Sequence, residues 1–257
     1  SIATAKSAVV IGGGLLGLEA AAEMEEMGLK VTVVEFFTRL LPRQLDLEGS
    51  RLFEEKVRTS SIDILLGDSA EEIILDGDKI RALKLKSGKV LDCDLLIFSV
   101  GIRSNTKLAS LAGVAVNRGV LVNSRMETNI PDIYACGDVA ELNGIVYGNW
   151  AAAMEMGKVA GINAAGEEAE FKQFVSSLMF NELNARIFSA GMVDFEDKAL
   201  EELFQEDKEK GIYKKLFFKD NKLKAGILIG NIAASTKIIS GIKKEISKEE
   251  ALDLGIL

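Results

Sequence analysis

Apolar positions along the chain change period repeatedly, and each change marks an element. A short apolar run, Val9-Val10-Ile11, meets three glycines and is followed by an Ala-rich helical stretch and a second run, Val31-Thr32-Val33-Val34, ending on Glu35. Residues 46–59 space Leu47, Leu52, Phe53 and Val57 as one face of a helix. Short strands are predicted at 62–66, 71–75, 79–86 and 89–91, with tight turns at Asp76-Gly77-Asp78 and Ser87-Gly88, so this part reads as an antiparallel meander. Residues 95–98 form a continuous apolar run, the pattern of a strand buried on both faces, and lead to Val100-Gly101. A short helix at 106–112, strands at 120–122 and 133–136, and a small-residue helix at 150–165 follow, with 166–170 as a charged link. Strands at 178–180 and 185–191 open the last part, and 213–219 with 222–229 make a hairpin around Asp220-Asn221. Residues 196–210 are so charged that they read as a solvated helix or a mobile loop. Ser247 and Glu250 fit a capping box for a terminal helix. No internal repeat is visible.

The first three elements carry the most chemistry. The loop Gly12-Gly13-Gly14-Leu15-Leu16-Gly17 lies between a strand and a helix, which is the setting in which Gly-x-Gly-x-x-Gly holds a dinucleotide. Gly12 permits the tight turn, Gly14 lets backbone approach a pyrophosphate, and Gly17 lets the helix pack close on the strand. The pyrophosphate then meets the unpaired amides and positive end of that helix. Glu35, 18 residues past Gly17, is placed to accept hydrogen bonds from an adenosine ribose 2′-hydroxyl and to repel a 2′-phosphate, which favours NAD(H) over NADP(H).

Composition narrows the possibilities. The 257 residues are 48% hydrophobic and 27% charged, enough for a sizeable core and two domains or more. A net charge of −8 argues against nucleic acid and anionic membrane as main partners. The apolar opening is interrupted by Glu19 and Glu23 and is too short for a membrane span, so it is not read as a signal peptide. Ser1 in first place suggests a processed or truncated product. Cys93 and Cys136 stand 43 positions apart, which excludes a local metal knuckle or dithiol and suits a reducing cytoplasm. With no histidine, a Ser-His-Asp triad is unavailable; no catalytic residue and no metal ligand is assigned.

Three segments in series go further: residues 9–19 with the glycine loop, residues 94–106 (Asp-Leu-Leu-Ile-Phe-Ser-Val-Gly-Ile-Arg-Ser-Asn-Thr), and residues 129–141 (Asn-Ile-Pro-Asp-Ile-Tyr-Ala-Cys-Gly-Asp-Val-Ala-Glu). Together they resemble the FAD/NAD(P)-dependent pyridine nucleotide-disulfide oxidoreductase superfamily, and within it the branch of NADH:rubredoxin reductases, NADH oxidases and nitrite reductase FAD domains. The resemblance covers essentially the whole chain. It implies an α/β fold: a Rossmann-like NAD-binding domain with an antiparallel meander (1–101), the returning segment of a partial FAD-binding Rossmann-like domain (102–171), and a small α+β C-terminal domain (172–257). It places NAD binding on Gly12, Gly13, Gly14, Leu15, Leu16, Gly17 and Glu35, with Glu19 toward the nicotinamide end and Gly101 beside the nucleotide. Gly137 and Asp138 match the motif whose Asp bonds flavin ribityl or ribose hydroxyls, and Trp150 matches a segment near the flavin pyrimidine edge. On the residues alone, Asp138 could instead cap its turn, Trp150 could be plain core, and Arg39 and Arg43 could be ordinary surface arginines; Cys136 reads as a buried small hydrophobe.

The chain departs from the family pattern at its start, a few residues before the NAD motif, so the FAD pyrophosphate site and any active-site cysteine of disulfide reductases are expected elsewhere. The resemblance implies part of an NADH-dependent flavoprotein oxidoreductase that passes hydride from NADH to FAD and electrons to an acceptor, such as a rubredoxin-like carrier, oxygen or a nitrite-reducing partner. The alternatives are a truncated module that binds NAD without turnover and one subunit of a split flavoenzyme. Expected partners are thus a nicotinamide dinucleotide, an electron-carrier protein, and a second copy or a polypeptide supplying the FAD half.

Overall fold

The computed structural model describes residues 4–172 and 174–257, which fall into two compact units: Ser1–Val100 with Val175–Leu257, and Gly101–Phe174. The first unit begins with β1 (Ser7–Ile11), α1 (Leu15–Glu26), β2 (Lys30–Glu35), α2 (Leu47–Val57) and β3 (Asp63–Leu66). It continues through β4 (Ala70–Asp76), β5 (Lys79–Leu85), β6 (Val90–Asp92) and β7 (Leu95–Phe98). A four-stranded parallel sheet has the order β3-β2-β1-β7, with Val10 opposite both Val33 and Ile97. In β1, Ala8, Val9 and Val10 are buried on both faces, as a central parallel strand requires. The apolar run of β7 predicts the same, but β7 is the last strand of this sheet, and Phe98 is 54% exposed. Strands β4, β5 and β6 form the antiparallel meander.

The second unit contains α3 (Lys107–Leu111), β8 (Val120–Val122), a 3-10 turn (Gly137–Val139), β9 (Ala140–Leu142) and α4 (Trp150–Ala164). Strands β8 and β9 pair in parallel, Val120 with Ala140 and Val122 with Leu142. Residues 133–136 are not a strand: Tyr134 makes one isolated bridge to Glu127. The core packs Met126, Ala140, Ala152, Met156 and Phe171 together. Buried Asn163 fastens the end of α4: its amide donates to the Arg125 and Ala169 carbonyls at 2.8 Å each and its oxygen accepts from Ala169 N–H at 3.0 Å.

The chain then re-enters the first unit with β10 (Ser177–Phe180), β11 (Ile187–Gly191), β12 (Glu201–Asp207), β13 (Ile212–Lys219), β14 (Lys222–Ile229), α5 (Ser235–Lys244) and α6 (Lys248–Asp253). The five strands form an antiparallel sheet ordered β10-β11-β14-β13-β12. The charged stretch expected as helix or loop therefore contains an edge strand. Its backbone pairs with β13 from Glu201–Phe218 to Asp207–Ile212, and Lys248 and Lys215 neutralise Glu201 and Glu202. Charge on an edge strand also discourages further strand addition. Asp220 and Asn221 both take left-handed backbone in the β13–β14 turn, the primed geometry such a hairpin favours. The capping box at Ser247 and Glu250 is formed, whereas α5 has no counterpart in the sequence reading.

Alternation along β13 and β14 divides this sheet's side chains between two cores. Phe217, Ile227 and Ile229 join Val10, Leu18, Val33, Leu40, Leu41 and Phe53 in one continuous cluster with the parallel sheet and its helices. Leu216, Phe218 and Leu228 face the other way and are covered by Ile238, Ile242 and Ala251 of α5 and α6. Full burial of each such side chain contributes roughly 1.5–3 kcal/mol. The C-terminal sheet and the parallel sheet are thereby one folded body.

Candidate functional site

The glycines of the first loop differ sharply in what surrounds them. A Cβ on Gly12, whose φ is +116°, would lie 2.1 Å from the Ser99 carbonyl oxygen. On Gly17 it would lie 2.0 Å from the Gly12 carbonyl oxygen and 3.3 Å from Ser99 Cβ. On Gly13 it would meet Leu40 Cδ2 at 2.7 Å and Glu35 Oε2 at 3.1 Å. On Gly14 it would meet nothing within 4 Å. Gly12 and Gly17 are thus required by backbone packed against them and Gly13 is crowded by the Leu40 and Glu35 side chains, while Gly14 faces open space at the start of α1. Gly14 is the N-cap of α1 and supplies no side chain to the helix end, so the amides of Leu15, Leu16 and Gly17 lack the partners that an interior turn would give them. Leu16 is 71% exposed there.

Glu35 closes the other side of the loop. Its side chain is nearly inaccessible at 6% exposure, and its two oxygens accept from Gly13 N–H at 2.5 Å and Phe37 N–H at 2.8 Å. Both oxygens are thus engaged by backbone amides, and each keeps a lone pair beyond that bond. Phe36 and Phe37 follow directly, exposed and packed edge to face at 5.4 Å. Glu19 sits half-buried further along α1. Gly101, after β7, takes left-handed backbone with open space around its Cα. Arg39 donates to the Pro42 carbonyl at 3.2 Å and belongs to the loop's own framework.

In the second unit, Gly137 has a φ of +74° and stands where a Cβ would touch Ala153 of α4 at 3.5 Å. The turn it forms exposes Asp138, whose backbone carbonyl accepts from Ser104 Oγ at 2.7 Å. Trp150, the first residue of α4, is 81% exposed, so the plain-core reading of its sequence context does not hold. Cys136 is exposed as well, against the expectation of a buried small hydrophobe, because the chain there is not the interior strand its apolar neighbours suggest. Glu141 is buried and accepts from Gly119 N–H at 2.9 Å and Asn117 Nδ2 at 3.0 Å. The Gly119 amide, then Asn117, hold its pKa below the ordinary carboxylate value against the opposing cost of burial.

The structure therefore gathers Gly12, Gly13, Gly14, Leu15, Leu16, Gly17 and Glu35 in the first unit, and Gly137 and Asp138 against the first turns of α4 in the second. Ser99, whose carbonyl forces Gly12 to be glycine, and Leu40, which backs Gly13, escaped the sequence reading. A small residue just before Val100-Gly101 was the only hint of the former. Cys93 is buried, and burial followed by the Asp94 and Asp92 charges pushes its thiol up, which keeps it neutral. Among the described residues no group of three or more His, Cys, Asp or Glu is placed to hold a metal ion, and no helix is long and apolar enough to cross a membrane.

Comparison with known proteins gives a consistent picture. A family profile for pyridine nucleotide-disulphide oxidoreductases matches residues 2–157, and one for the rubredoxin NAD+ reductase C-terminal domain matches residues 177–246. The chain is 38% identical over 256 residues to a nitrite reductase [NAD(P)H] of Bacillus subtilis, covering 98% of this chain and 31% of that protein. It is 34% identical over 249 residues to an NADH-rubredoxin oxidoreductase of Clostridium acetobutylicum, covering 96% of this chain and 59% of the other. It thus spans between about a third and three fifths of these relatives' lengths. The crystal structure of the NADH:rubredoxin oxidoreductase from Clostridium acetobutylicum superposes with a TM-score of 0.74 at 28% identity, over 97% of this chain and 63% of that one.

Proposed function

The chain belongs to the pyridine nucleotide-disulphide oxidoreductase family, and from that premise we propose that it forms the NADH-binding part and the returning half of the FAD-binding part of an NADH-dependent flavoprotein oxidoreductase. One observation carries this reading. Gly12, Gly13 and Gly17 are glycine because the chain itself fills the space beside them, whereas Gly14 is glycine beside empty space that leads to the first amides of α1. A pyrophosphate accounts for that gap, since it needs close backbone approach, N–H donors and the positive end of a helix.

When bound, NADH supplies a hydride and the flavin accepts it. The residues of this chain hold and orient. Gly14 and the amides of Leu15 and Leu16 accommodate the phosphates. Glu35, already fixed by Gly13 and Phe37, accepts the adenosine ribose hydroxyls and disfavours a 2′-phosphate, because a second negative charge would be forced against a buried carboxylate. Glu19 lies toward the nicotinamide end, and Gly101 leaves backbone free beside the nucleotide. In the second unit, Asp138 is the acceptor for flavin hydroxyls, and Gly137 allows α4 and the chain beside Trp150 to approach the ring.

Completion of the flavin site by another stretch of polypeptide is part of the proposal. It is supported by the shortness of the two-stranded β8–β9 sheet, which isolated bridges from Val116 and Ile145 alone extend among the described residues, and by the exposed Leu108, Leu111, Trp150 and Met154 of the same unit. Exposed apolar side chains grouped on one unit favour addition of protein. The electron acceptor is a carrier protein, oxygen or a nitrite-reducing partner. The test is a fluorescence titration of the purified chain with NADH and NADPH, followed by an absorbance spectrum after addition of FAD. NADH binding tighter than NADPH is expected; no NADH binding at millimolar concentration refutes the proposal, and retained flavin absorbance after gel filtration refutes the need for a second polypeptide.

A further inference from the structure

The loop between β2 and α2, residues 36–46, is gripped from two sides. Toward the glycine loop, Leu41 N–H donates to the Gly13 carbonyl at 3.3 Å, and Leu40 packs where a Gly13 side chain would be. Toward the C-terminal sheet, Ser189 Oγ donates to the Gln44 carbonyl at 2.6 Å, and Tyr213 OH and Lys215 Nζ each donate to Asp46 Oδ2 at 2.9 Å. The other Asp46 oxygen accepts from Gly49 N–H at 2.9 Å and caps α2. Lys215 also bridges Glu202 at 2.8 Å and lies over the Phe217 ring. Asp46, Ser189 and Tyr213 are buried, Tyr213 being 3% exposed, while Lys215 is largely covered and its second partner Glu202 lies at the surface. Burial first, then Asp46, pushes the Tyr213 hydroxyl far above its ordinary pKa, so it stays a donor.

A second observation concerns Leu41. It is fully buried with a φ of +48°, a left-handed conformation that is unfavourable for a residue carrying a Cβ. Such a conformation persists only where the surroundings over-determine it. Here the surroundings are the Gly13 carbonyl in front and the C-terminal sheet behind.

We propose that the C-terminal sheet sets the geometry of the dinucleotide loop: Tyr213, Lys215 and Ser189 are positioning residues for NADH, acting through Asp46 and Gln44 on Leu40, Leu41 and Gly13. The inference rests on the NADH reading of the glycine loop. With one donor removed, the buried Asp46 carboxylate is under-satisfied and draws its segment toward water or another partner. That movement relieves Leu41 and loosens the backing of Gly13, whose amide fixes Glu35.

The test compares the dissociation constant for NADH, well below the melting temperature, in the wild-type chain and in Tyr213→Phe, Lys215→Met and Ser189→Ala, with circular dichroism to check folding. Lys222→Met, which breaks the Lys222–Glu245 ion pair on the same sheet, is the control for a merely structural loss. Affinity is expected to fall about threefold to tenfold in Tyr213→Phe and Lys215→Met and to stay unchanged in Lys222→Met. Lowered melting temperatures with unchanged NADH affinity overturn this inference alone. A wild-type chain that binds no NADH overturns the reading of the glycine loop and this inference with it. Ser189→Ala, which removes only a hydroxyl, carries the comparison if a larger change prevents folding.

Discussion

Adding the same methyl group at Gly14 and at Gly17 separates a glycine kept for a ligand from one kept for the fold. At Gly17 the new Cβ lies 2.0 Å from a backbone oxygen, against a floor of 3.0 Å for real Cβ contacts, so α1 and β1 must part by about 1 Å. Overpacking of this kind costs about 1–3 kcal/mol, here toward the upper end because the obstructing atom is a carbonyl on the first strand's turn. Alanine's better helix propensity returns about 1 kcal/mol. The net loss is about 2 kcal/mol, which for a body of this size lowers the melting temperature by about 4–8 °C. At Gly14 the methyl meets nothing, and φ −81° with ψ 178° is open to any residue, so only a weaker helix cap is lost, under about 1 kcal/mol. The binding consequences are the reverse in emphasis. A methyl at Gly14 stands between phosphate and amides whose charge-assisted bonds contribute about 1.5–3 kcal/mol, so NADH affinity falls about tenfold to a hundredfold with the fold intact. Differential scanning fluorimetry and NADH titration read both quantities on the same samples. Wild-type affinity in Gly14→Ala, or a stability loss equal to that of Gly17→Ala, refutes the division of roles.

Glu35→Ala removes the proposed ligand acceptor and also strands the buried Gly13 amide and frees the Phe37 amide, so it is expected to weaken NADH about tenfold or more, narrow the preference over NADPH and lower the melting temperature; unchanged stability in this variant contradicts the hydrogen bonds described. Glu141 has a pKa below its ordinary 4.5 in the folded state, so the stability it contributes is present above pH 4.5 and is lost as pH falls through its folded value. The melting-temperature gap between the wild-type chain and Glu141→Gln should therefore be widest near neutral pH and close in acid. A gap that does not change with pH shows that the carboxylate's charge is not what anchors Gly119.

Much of this protein is legible in its residues for a simple reason: local elements follow local rules. The period-2 and period-3.6 runs, the Asp-Gly and Asp-Asn turns and the Ser247–Glu250 box depend on neighbours a few positions away, and they appear where their chemistry predicts. The glycine loop and Glu35 stand out because Gly-x-Gly-x-x-Gly between a strand and a helix, with an acid ending the next strand, is a pattern of residue types at fixed spacing. Failures occurred where a remote partner decides. Residues 201–207 look solvated until β13 supplies a backbone ladder and lysines from two other elements supply charge. Residues 95–98 look doubly buried until the strand order leaves β7 at an edge. Cys136 looks internal from composition and lies exposed, and the exposure of Trp150 removes the plain-core alternative for it.

The residues alone reveal the strand-loop-helix-strand with its glycines and Glu35, on which the proposal of NADH binding is built, and the likeness of residues 129–141 to a flavin segment. Only the tertiary structure decided why each glycine is there, since the Ser99 carbonyl and Leu40 reach Gly12 and Gly13 from 87 and 27 positions away. It alone joined the C-terminal sheet to the parallel sheet in one core and brought Tyr213 and Lys215 to Asp46 across more than 160 residues of chain. Contacts of that span depend on two surfaces fitting, and a fit between surfaces has no period along the chain.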